Sequence, residues 1–249
     1  MRLRNRALSE GIPTTLLLGL LLASPASAVP QPYTFEGLAA GTIVAGVKPN
    51  GQILASDPYP GFEFSVIGNA ASNSLCIFDS AHPTGADLDL GTPNDGFGGP
   101  GKGNGGKPGM PGQNKTPQGK VLVIPENLVD VNQDGRVDTP DDNHLGGQIT
   151  VNWTVQGLLL KVVLLDIEES GAFVDCYKGN QLVQSFPVPA LGDNSQVEVL
   201  TETTTAIDRT VITLPGSGSL AAMTFDNGPV IPVPVEDATW SRIKNLTRN

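Results

Sequence analysis

The chain has 249 residues, of which 39% are hydrophobic and only 5% aromatic, and it contains 30 Gly and 21 Pro. Its formal net charge of −10 at pH 7 argues against nucleic acid and anionic lipid as partners, because both attract basic surfaces. Few aromatics with much Gly and Pro predict one β-rich domain of short strands joined by turns.

Residues 1–28 predict a signal peptide. Arg2, Arg4 and Arg6 form a basic n-region, Leu16 to Leu22 is apolar apart from one Gly, and Ala26-Ser27-Ala28 is an A-x-A cleavage site. The apolar run is too short to span a bilayer. We therefore expect a secreted or extracytoplasmic chain, in the periplasm, at the cell surface or outside the cell, with no transmembrane segment after cleavage.

Residues 29–228 predict a β-sandwich domain, because short apolar or alternating runs are separated by turn signals. The predicted strands are Tyr33 to Phe35, Gly61 to Val66, Leu75 to Phe78, Val121 to Ile124, Gln148 to Thr154, Leu158 to Ile167, Ala172 to Tyr177, Leu182 to Phe186, Val197 to Leu200, Arg209 to Leu214 and Leu220 to Phe225. The absence of helical crossovers favours an all-β, antiparallel, jelly-roll-like sandwich over a parallel sheet.

Residues 91–119 contain eleven Gly and five Pro and almost no apolar side chain. Such a composition cannot offset the entropy of ordering the chain, so we expect a flexible insertion without a core. An alternative is an arm that carries Lys102, Lys107 and Lys115 to a partner.

Asp130 to Asp141, D-V-N-Q-D-G-R-V-D-T-P-D, has the spacing of a calcium loop. Oxygen ligands fall at positions 1, 3, 5, 7, 9 and 12, which are Asp130, Asn132, Asp134, the Arg136 carbonyl, Asp138 and Asp141. Gly135 supplies the turn at position 6. The sequence therefore predicts a Ca²⁺ site, and the alternative is an acidic surface turn that binds nothing.

The same twelve residues resemble the loop of dockerin modules. A dockerin has two such loops, each followed by a helix, whereas here one copy is followed by Gly146-Gly147 and a predicted strand. The resemblance therefore implies metal binding, and it does not imply a cohesin partner.

Five further segments resemble a group of uncharacterised bacterial exported β-sandwich domains, themselves similar to jelly-roll carbohydrate-binding modules. They are Y-T-F-E-G-L-A-A-G-T-I-V from Tyr33, C-I-F-D-S-A-H-P-T-G-A-D-L-D-L from Cys76, G-K-V-L-V-I-P-E from Gly119, L-L-D-I-E-E from Leu164 and L-P-G-S-G-S from Leu214. The resemblance implies a structural calcium near Glu36. Its second ligand, expected on the last strand, has no clear counterpart, since Asp226 fits only with a shifted register.

Acidic side chains also gather at predicted strand ends, where loops commonly carry binding groups. Asp79, Asp87 and Asp89 follow one strand, and Asp166, Glu168 and Glu169 close another. We predict a ligand site formed by Asp79, Asp87, Asp89 and Glu168 at one end of the sandwich. The alternative is a solvated acidic surface.

Catalysis finds little support, because the only histidines, His82 and His144, have no Ser or Cys motif beside them. The sequence favours a non-catalytic module that binds glycan or a cell-surface polymer. A glycan-active hydrolase or lyase is the first alternative, since the separation of paired carboxylates is a property of the fold. A purely structural envelope or matrix protein is the second.

The sequence allows two interpretations each for the cysteine pair and for the C-terminal segment. Cys76 and Cys176 are the only cysteines; export favours a disulfide, but both positions also suit separate buried strands. Residues 229–249 predict a Pro-rich linker and a short helix from Asp237 to Arg248, for which a docking tag and a helix resting on the domain are equal alternatives.

Overall fold

The computed structural model describes residues 30, 32–54, 58–69, 72–85 and 87–228. The predicted signal peptide (1–28) and the predicted linker and helix (229–249) lie outside these residues. No helix in the described ranges is long and apolar enough to cross a membrane.

Eleven strands and two short 3-10 turns, Leu88–Leu90 and Asp95–Phe97, are described. The strands are β1 (Pro32–Tyr33), β2 (Ile43–Gly46), β3 (Phe62–Gly68), β4 (Ser74–Asp79), β5 (Lys120–Val123), β6 (Gly147–Leu165), β7 (Ala172–Lys178), β8 (Gln181–Val188), β9 (Gln196–Leu200), β10 (Ile207–Leu214) and β11 (Ser219–Asp226).

The strands form two antiparallel sheets that share β6. Sheet I has the order β2-β4-β5-β11-β6-β9, with β1 also beside β11, and sheet II has the order β3-β6-β10-β7-β8. The second half of β6 pairs with β11 and β9, and its first half with β3 and β10. The prediction of an all-β antiparallel sandwich is confirmed.

β6 passes from one sheet to the other at Gly157. A Cβ there would lie 2.4 Å from the Asp226 carbonyl oxygen, so only Gly allows β11 to approach this closely. Two strands were predicted over this stretch because the polar Gln156 and the Gly interrupt the apolar pattern; the structure has one continuous strand of 19 residues.

The main core lies between the sheets and is built by alternating residues of each strand. Val162 and Leu164 of β6 point into it, and the Trp153 ring stacks on Phe225 with centroids 3.8 Å apart. Trp153 Nε1 donates to Thr210 Oγ1 at 3.1 Å, so this buried indole keeps a hydrogen-bond partner.

A second apolar cluster covers the outer face of sheet I. Val163 and Leu165 of β6 contribute to it, together with Phe78 of β4. Leu90 and Val137 close it from above, and they belong to the β4–β5 connection (80–119) and the β5–β6 connection (124–146), which we call the loop layer. Sheet I is therefore buried on both faces, and its outer face carries a third layer.

Residues 91–119, predicted as a flexible insertion without a core, are part of the loop layer and are held there by buried polar side chains. Asn94, Asn114 and Asn194 are each fully buried. Asn94 Nδ2 donates to Asn194 Oδ1 at 2.7 Å, and Asn114 Nδ2 donates to the Gly91 carbonyl at 3.0 Å. Polar side chains thus hold together a segment that lacks apolar ones.

The glycines of this segment permit close contact with the β8–β9 connection. A Cβ at Gly105 would lie 2.3 Å from the Leu191 carbonyl oxygen, and one at Gly103 would lie 2.5 Å from Asp193. No side chain fits in such a gap, so the glycine content reflects backbone packing here.

The two cysteines are free and buried in different layers. Cys76 lies in the cluster outside sheet I, and Cys176 lies between the sheets. The disulfide alternative is therefore wrong.

Candidate metal centre

Four separate parts of the chain bring carboxylates to the boundary between sheet I and the loop layer. Asp87 and Asp89 flank the start of the 3-10 turn, whereas Asp141 is the last residue of the predicted calcium loop and Asp142 follows it. The third part contributes Asp166, directly after β6, and the fourth contributes Asp193, in the β8–β9 connection. These six residues form two clusters of three.

The first cluster consists of Asp87, Asp141 and Asp142, each with a carboxylate oxygen within 4.8 Å of the others. Asp87 and Asp142 are 9% and 7% exposed. Asp87 Oδ2 accepts the backbone N–H of Asp142 at 2.8 Å, and the Asp142 carboxylate accepts the N–H of Gly218. The chain thus fixes two of the three carboxylates by backbone hydrogen bonds.

The second cluster consists of Asp89, Asp166 and Asp193, with the same spacing of ligand atoms. Asp166 is 1% exposed and has a left-handed backbone with φ +59°. Its Oδ1 accepts the N–H of Asn194 at 2.6 Å. Glu168 shares a hydrogen bond with Asp193, which places a fourth carboxylate at this cluster.

Burial raises the pKa of several of these carboxyl groups. It raises the pKa of Asp87 to about 9, assisted by a hydrogen bond with Asp141 and by the charge of Asp142. It likewise raises the pKa of Asp142 to about 7, and that of Asp166 to about 8. The charged forms are disfavoured because desolvation and neighbouring carboxylates act in the same direction.

Within the described ranges, no basic side chain is paired with these carboxylates. None of the ion pairs between described residues includes a member of either cluster. The clusters also influence each other, since the charge of Asp89 raises the pKa of both Asp142 and Asp166. A divalent cation would supply the missing positive charge and would favour the ionised carboxylates.

One further oxygen belongs to this region. Ser219 is fully buried and its hydroxyl has no hydrogen-bond partner among the described residues. It is paired with Leu165 and Val123, whose side chains lie on the outer face of sheet I, and it follows Gly218, which donates to Asp142. The hydroxyl therefore lies on the sheet face that carries the clusters.

The predicted calcium loop forms a tight turn in which side-chain oxygens accept backbone N–H groups. Asp130 accepts from Asp134 at 3.1 Å and from Gly135 at 2.9 Å, and Asn132 Oδ1 accepts from Asp134 at 2.8 Å. Gly135 has φ +84°, as the turn at position 6 requires. Arg136 pairs with the Asp134 carboxylate at 3.1 Å.

The last two predicted ligands of this loop, Asp138 and Asp141, lie in different places. Asp138 Oδ2 accepts the N–H of Val131 at 2.7 Å and so remains with the turn, whereas Asp141 joins Asp87 and Asp142. In the described ranges, no group of three acidic, His or Cys side chains with ligand atoms within 4.8 Å includes Asp130, Asp134 or Asp138.

The predicted ligand residues are split among three places. Asp87 belongs to the first cluster, and Asp89 and Glu168 belong to the second. Asp79 lies elsewhere, paired with Lys120 and His82; burial opposes its ionisation, but these hydrogen bonds outweigh burial and lower its pKa. Asp79 therefore already has its countercharge.

Glu36, implied as a calcium ligand by the family resemblance, accepts the backbone N–H of Lys120 at 2.9 Å. Asp226 accepts the N–H of Gly228 at 2.8 Å. Neither residue belongs to an acidic cluster among the described residues.

The outer face of sheet II is open to solvent and carries aromatic side chains. Phe173 is 39% exposed, and the Arg209 guanidinium lies 4.5 Å from the centroid of the Tyr177 ring. Polar groups surround them, including Asp175, which accepts from Ser185 at 2.5 Å. Rings beside hydrogen-bonding groups make this face suitable for a polar ligand with apolar faces.

No family model and no curated protein matches the chain. Among solved structures it is similar to a carbohydrate-binding module (CBM6cm-2) from Cellvibrio mixtus lichenase 5A in complex with cellotriose. The identity is 12%, the TM-score is 0.25, and the match covers 43% of this chain and 77% of that module.

Proposed function

We propose that the chain is an exported, calcium-binding β-sandwich module that binds glycan without turning it over. The observation that supports calcium most strongly is the pair of buried acidic clusters at the edge of the loop layer, to which no basic residue of the described part of the chain is paired. Export rests on the n-region, apolar segment and cleavage site of residues 1–28.

Calcium fits the ligand set better than other common metals. Both clusters offer carboxylate oxygens and contain no His or Cys, which disfavours zinc. Magnesium demands a compact octahedron and retains its waters, whereas calcium accepts six to eight oxygens in irregular geometry. Carboxylates contributed by separate loops suit the less demanding ion.

Binding should also stabilise the fold. Asp89 belongs to the loop layer and Asp166 directly follows β6, so an ion at the second cluster would join the layer to sheet I. An isolated extracellular site commonly has a dissociation constant on the order of 10⁻⁴ M, and calcium at about 100 times this value adds about 2.7 kcal/mol of stability.

The test is calorimetric calcium titration of four proteins: the wild type, Asp87→Asn/Asp142→Asn, Asp130→Ala/Asp134→Ala and Asp79→Asn. We expect the first double variant to weaken binding about tenfold or more, because it removes two charged ligands. Asp79→Asn is the control, because Asp79 is paired with Lys120.

The second double variant separates the two possible sites. Calcium binding that survives Asp87→Asn/Asp142→Asn and fails in Asp130→Ala/Asp134→Ala would place the ion in the loop predicted from sequence. Absence of binding by the wild type would refute the calcium proposal.

For glycan, two surfaces are candidates. The acidic rim formed by Asp89 and Glu168 could hold sugar hydroxyls directly or through calcium, as the sequence predicts. The open face of sheet II offers Phe173 and Tyr177 as stacking platforms beside polar groups. We favour the open face, because the rim carboxylates are needed for the cation.

A glycan array followed by affinity measurement would test this proposal. We expect Phe173→Ala/Tyr177→Ala to abolish measurable binding of a glycan that the wild type binds, and Leu200→Ala, which removes an exposed side chain from sheet I, to leave binding unchanged. Loss in Asp89→Asn/Glu168→Gln alone would favour the rim.

The same array separates the alternatives. Turnover of a bound glycan would favour the hydrolase or lyase, and absence of both binding and turnover would favour a structural protein.

A further inference from the structure

Among the described strands, β9 is an edge strand of sheet I, with no strand on its side away from β6. It pairs with β6 alone, and Val197 and Val199 take part in the hydrogen-bonded pairs. The N–H of Gln196 points the other way and donates to the Gly112 carbonyl at 2.9 Å. By alternation, the N–H and C=O groups of Glu198 and Leu200 point away from β6, and within the described ranges they have no partner.

A groove lies beside this edge. It has a volume of about 530 Å³ and is lined by Gln196, Val197 and Glu198 on one side and by segments of the loop layer and the β8–β9 connection on the other. The nearby Leu200 side chain is 63% exposed. The groove and the edge together form a surface for an extended, partly apolar segment.

The chain itself supplies a segment within reach. Described residues end at Gly228, just after β11, and residues 229–249 follow. Asp226 pairs with Leu158, and Leu200 pairs with Lys161 on the other side of β6. Three strand spacings and three residues along β6 separate these positions, roughly 17 Å, which five or six extended residues span.

The sequence that would arrive there has a matching pattern. Residues 229–235 read P-V-I-P-V-P-V, with Pro232 and Pro234 two positions apart. Residues two apart direct their N–H groups to the same side of a strand, so both prolines would face solvent. Ile231, Val233 and Val235 would then direct their N–H groups toward β9.

Charge supports the same direction of binding. Antiparallel to β9, the segment would run from Leu200 toward Gln196, and the following residues would come close to Asp193 and Glu168. Those following residues include Arg242, Lys244 and Arg248, the basic side chains of the C-terminal segment. They would therefore approach an acidic region that has no ion-pair partner among the described residues.

We propose that residues 231–235 bind along the free edge of β9 as an added antiparallel strand, with the basic residues beyond them against the acidic rim. The interaction occupies the edge groups of Glu198 and Leu200 and covers the exposed Leu200 side chain. It also removes an edge on which a second molecule could pair.

Amide hydrogen exchange measured by NMR tests the proposal. We compare the mature chain with the same chain ended after Gly228, at matched calcium. The N–H groups of Glu198 and Leu200 are expected to exchange about tenfold or more slowly in the longer chain, because they gain hydrogen-bond acceptors. The N–H of Val162, which lies inside sheet I, reports whether the fold is intact in both.

Two single substitutions make the test independent of truncation. Val233→Pro removes an N–H directed at β9 and should abolish the slow exchange of Glu198 and Leu200. Val230 is an even number of positions from Pro232 and Pro234, so its N–H would face solvent as theirs would, and Val230→Pro should preserve the slow exchange. Equal exchange of Glu198 and Leu200 with and without the segment overturns the proposal. Protection that rises with protein concentration also overturns it, because the occupant is then a second copy.

Discussion

Asn194 is the residue whose replacement should most clearly expose the packing of the Gly/Pro-rich segment. It is fully buried, and its Nδ2 donates to the carbonyls of Asp89 at 2.5 Å and Gly91 at 2.7 Å. Its Oδ1 accepts from Asn94. Its backbone is left-handed, with φ +58°, which Asn tolerates better than Ala. We therefore choose Asn194→Ala as the perturbation.

The loss of stability in Asn194→Ala follows from the groups that lose their hydrogen-bond partner. Gly91 keeps the hydrogen bond from Asn114, but the Asp89 carbonyl and one N–H of Asn94 lose their partner. Each buried polar group left without a partner costs about 1–3 kcal/mol, and the left-handed backbone adds about 1 kcal/mol for Ala. We expect Asn194→Ala to lower the free energy of unfolding by about 4 kcal/mol.

Urea unfolding followed by tryptophan fluorescence measures this change at a fixed calcium concentration. Asn194→Gly removes the backbone penalty and should recover about 1 kcal/mol. Asn104→Ala is the matched control, because Asn104 is exposed and its side chain accepts a hydrogen bond from Lys107 at the surface. Trypsin cleavage after Lys102 reports local opening of the segment. A free energy within about 0.5 kcal/mol of wild type, with unchanged cleavage, would refute the reasoning.

Three other outcomes are expected. In chelator, the folded-state pKa of Asp142 near 7 exceeds its ordinary value of 3.8, so the contribution of Asp142 to stability should be greatest below pH 4 and should be lost, by about 4 kcal/mol, as pH rises to 7. A difference in stability between wild type and Asp142→Asn that is constant from pH 4 to 8 would contradict this, and saturating calcium should remove the fall. Burial raises the pKa values of the free cysteines Cys76 and Cys176 to about 12. Both thiols should therefore react with a thiol reagent only after the protein is unfolded without reductant. Fewer than two reactive thiols would indicate a disulfide. Thr210→Val leaves the Trp153 N–H without a partner and should cost about 1–3 kcal/mol in urea unfolding, whereas Thr210→Ser should cost less; equal losses would show that the hydroxyl is unimportant.

Most strands could be predicted because side-chain alternation directly reflects which face of a sheet is buried. β2 was missed, since Ile43–Gly46 has only four residues, three of them buried in succession, and a register shift against β4 removes the alternation. Its place in sheet I depends on pairing with β4, which sequence periodicity does not contain.

The ordering of the Gly/Pro-rich segment could not be predicted by the same means. Its cohesion comes from hydrogen bonds such as that between Asn94 and Asn194, which are one hundred positions apart in the chain. Composition reports the lack of apolar side chains, but it does not report that buried amides replace them.

The acidic clusters were predicted in part. Asp87 and Asp89 are predicted as ligands because they follow a strand, and Asp141 because it ends a loop motif. Which of them lie together depends on how the loop layer folds over sheet I, and this places Asp87 with Asp141 but Asp89 in the other cluster. Asp166 was noted only as closing a strand, although an acidic residue directly after a continuous apolar run is a signal for burial. Asp193, in a polar turn, offered no signal of its own.

The sharing of β6 between the sheets has a consequence for unfolding. In a sandwich whose sheets use separate strands, one sheet can in principle loosen while the other remains. Here Gly147–Leu165 supplies hydrogen bonds to β3 and β10 in one sheet and to β11 and β9 in the other, so extraction of this strand disrupts both. Calorimetric and van't Hoff enthalpies of unfolding should therefore agree, and a pulling force applied along the chain should meet a single main barrier rather than two.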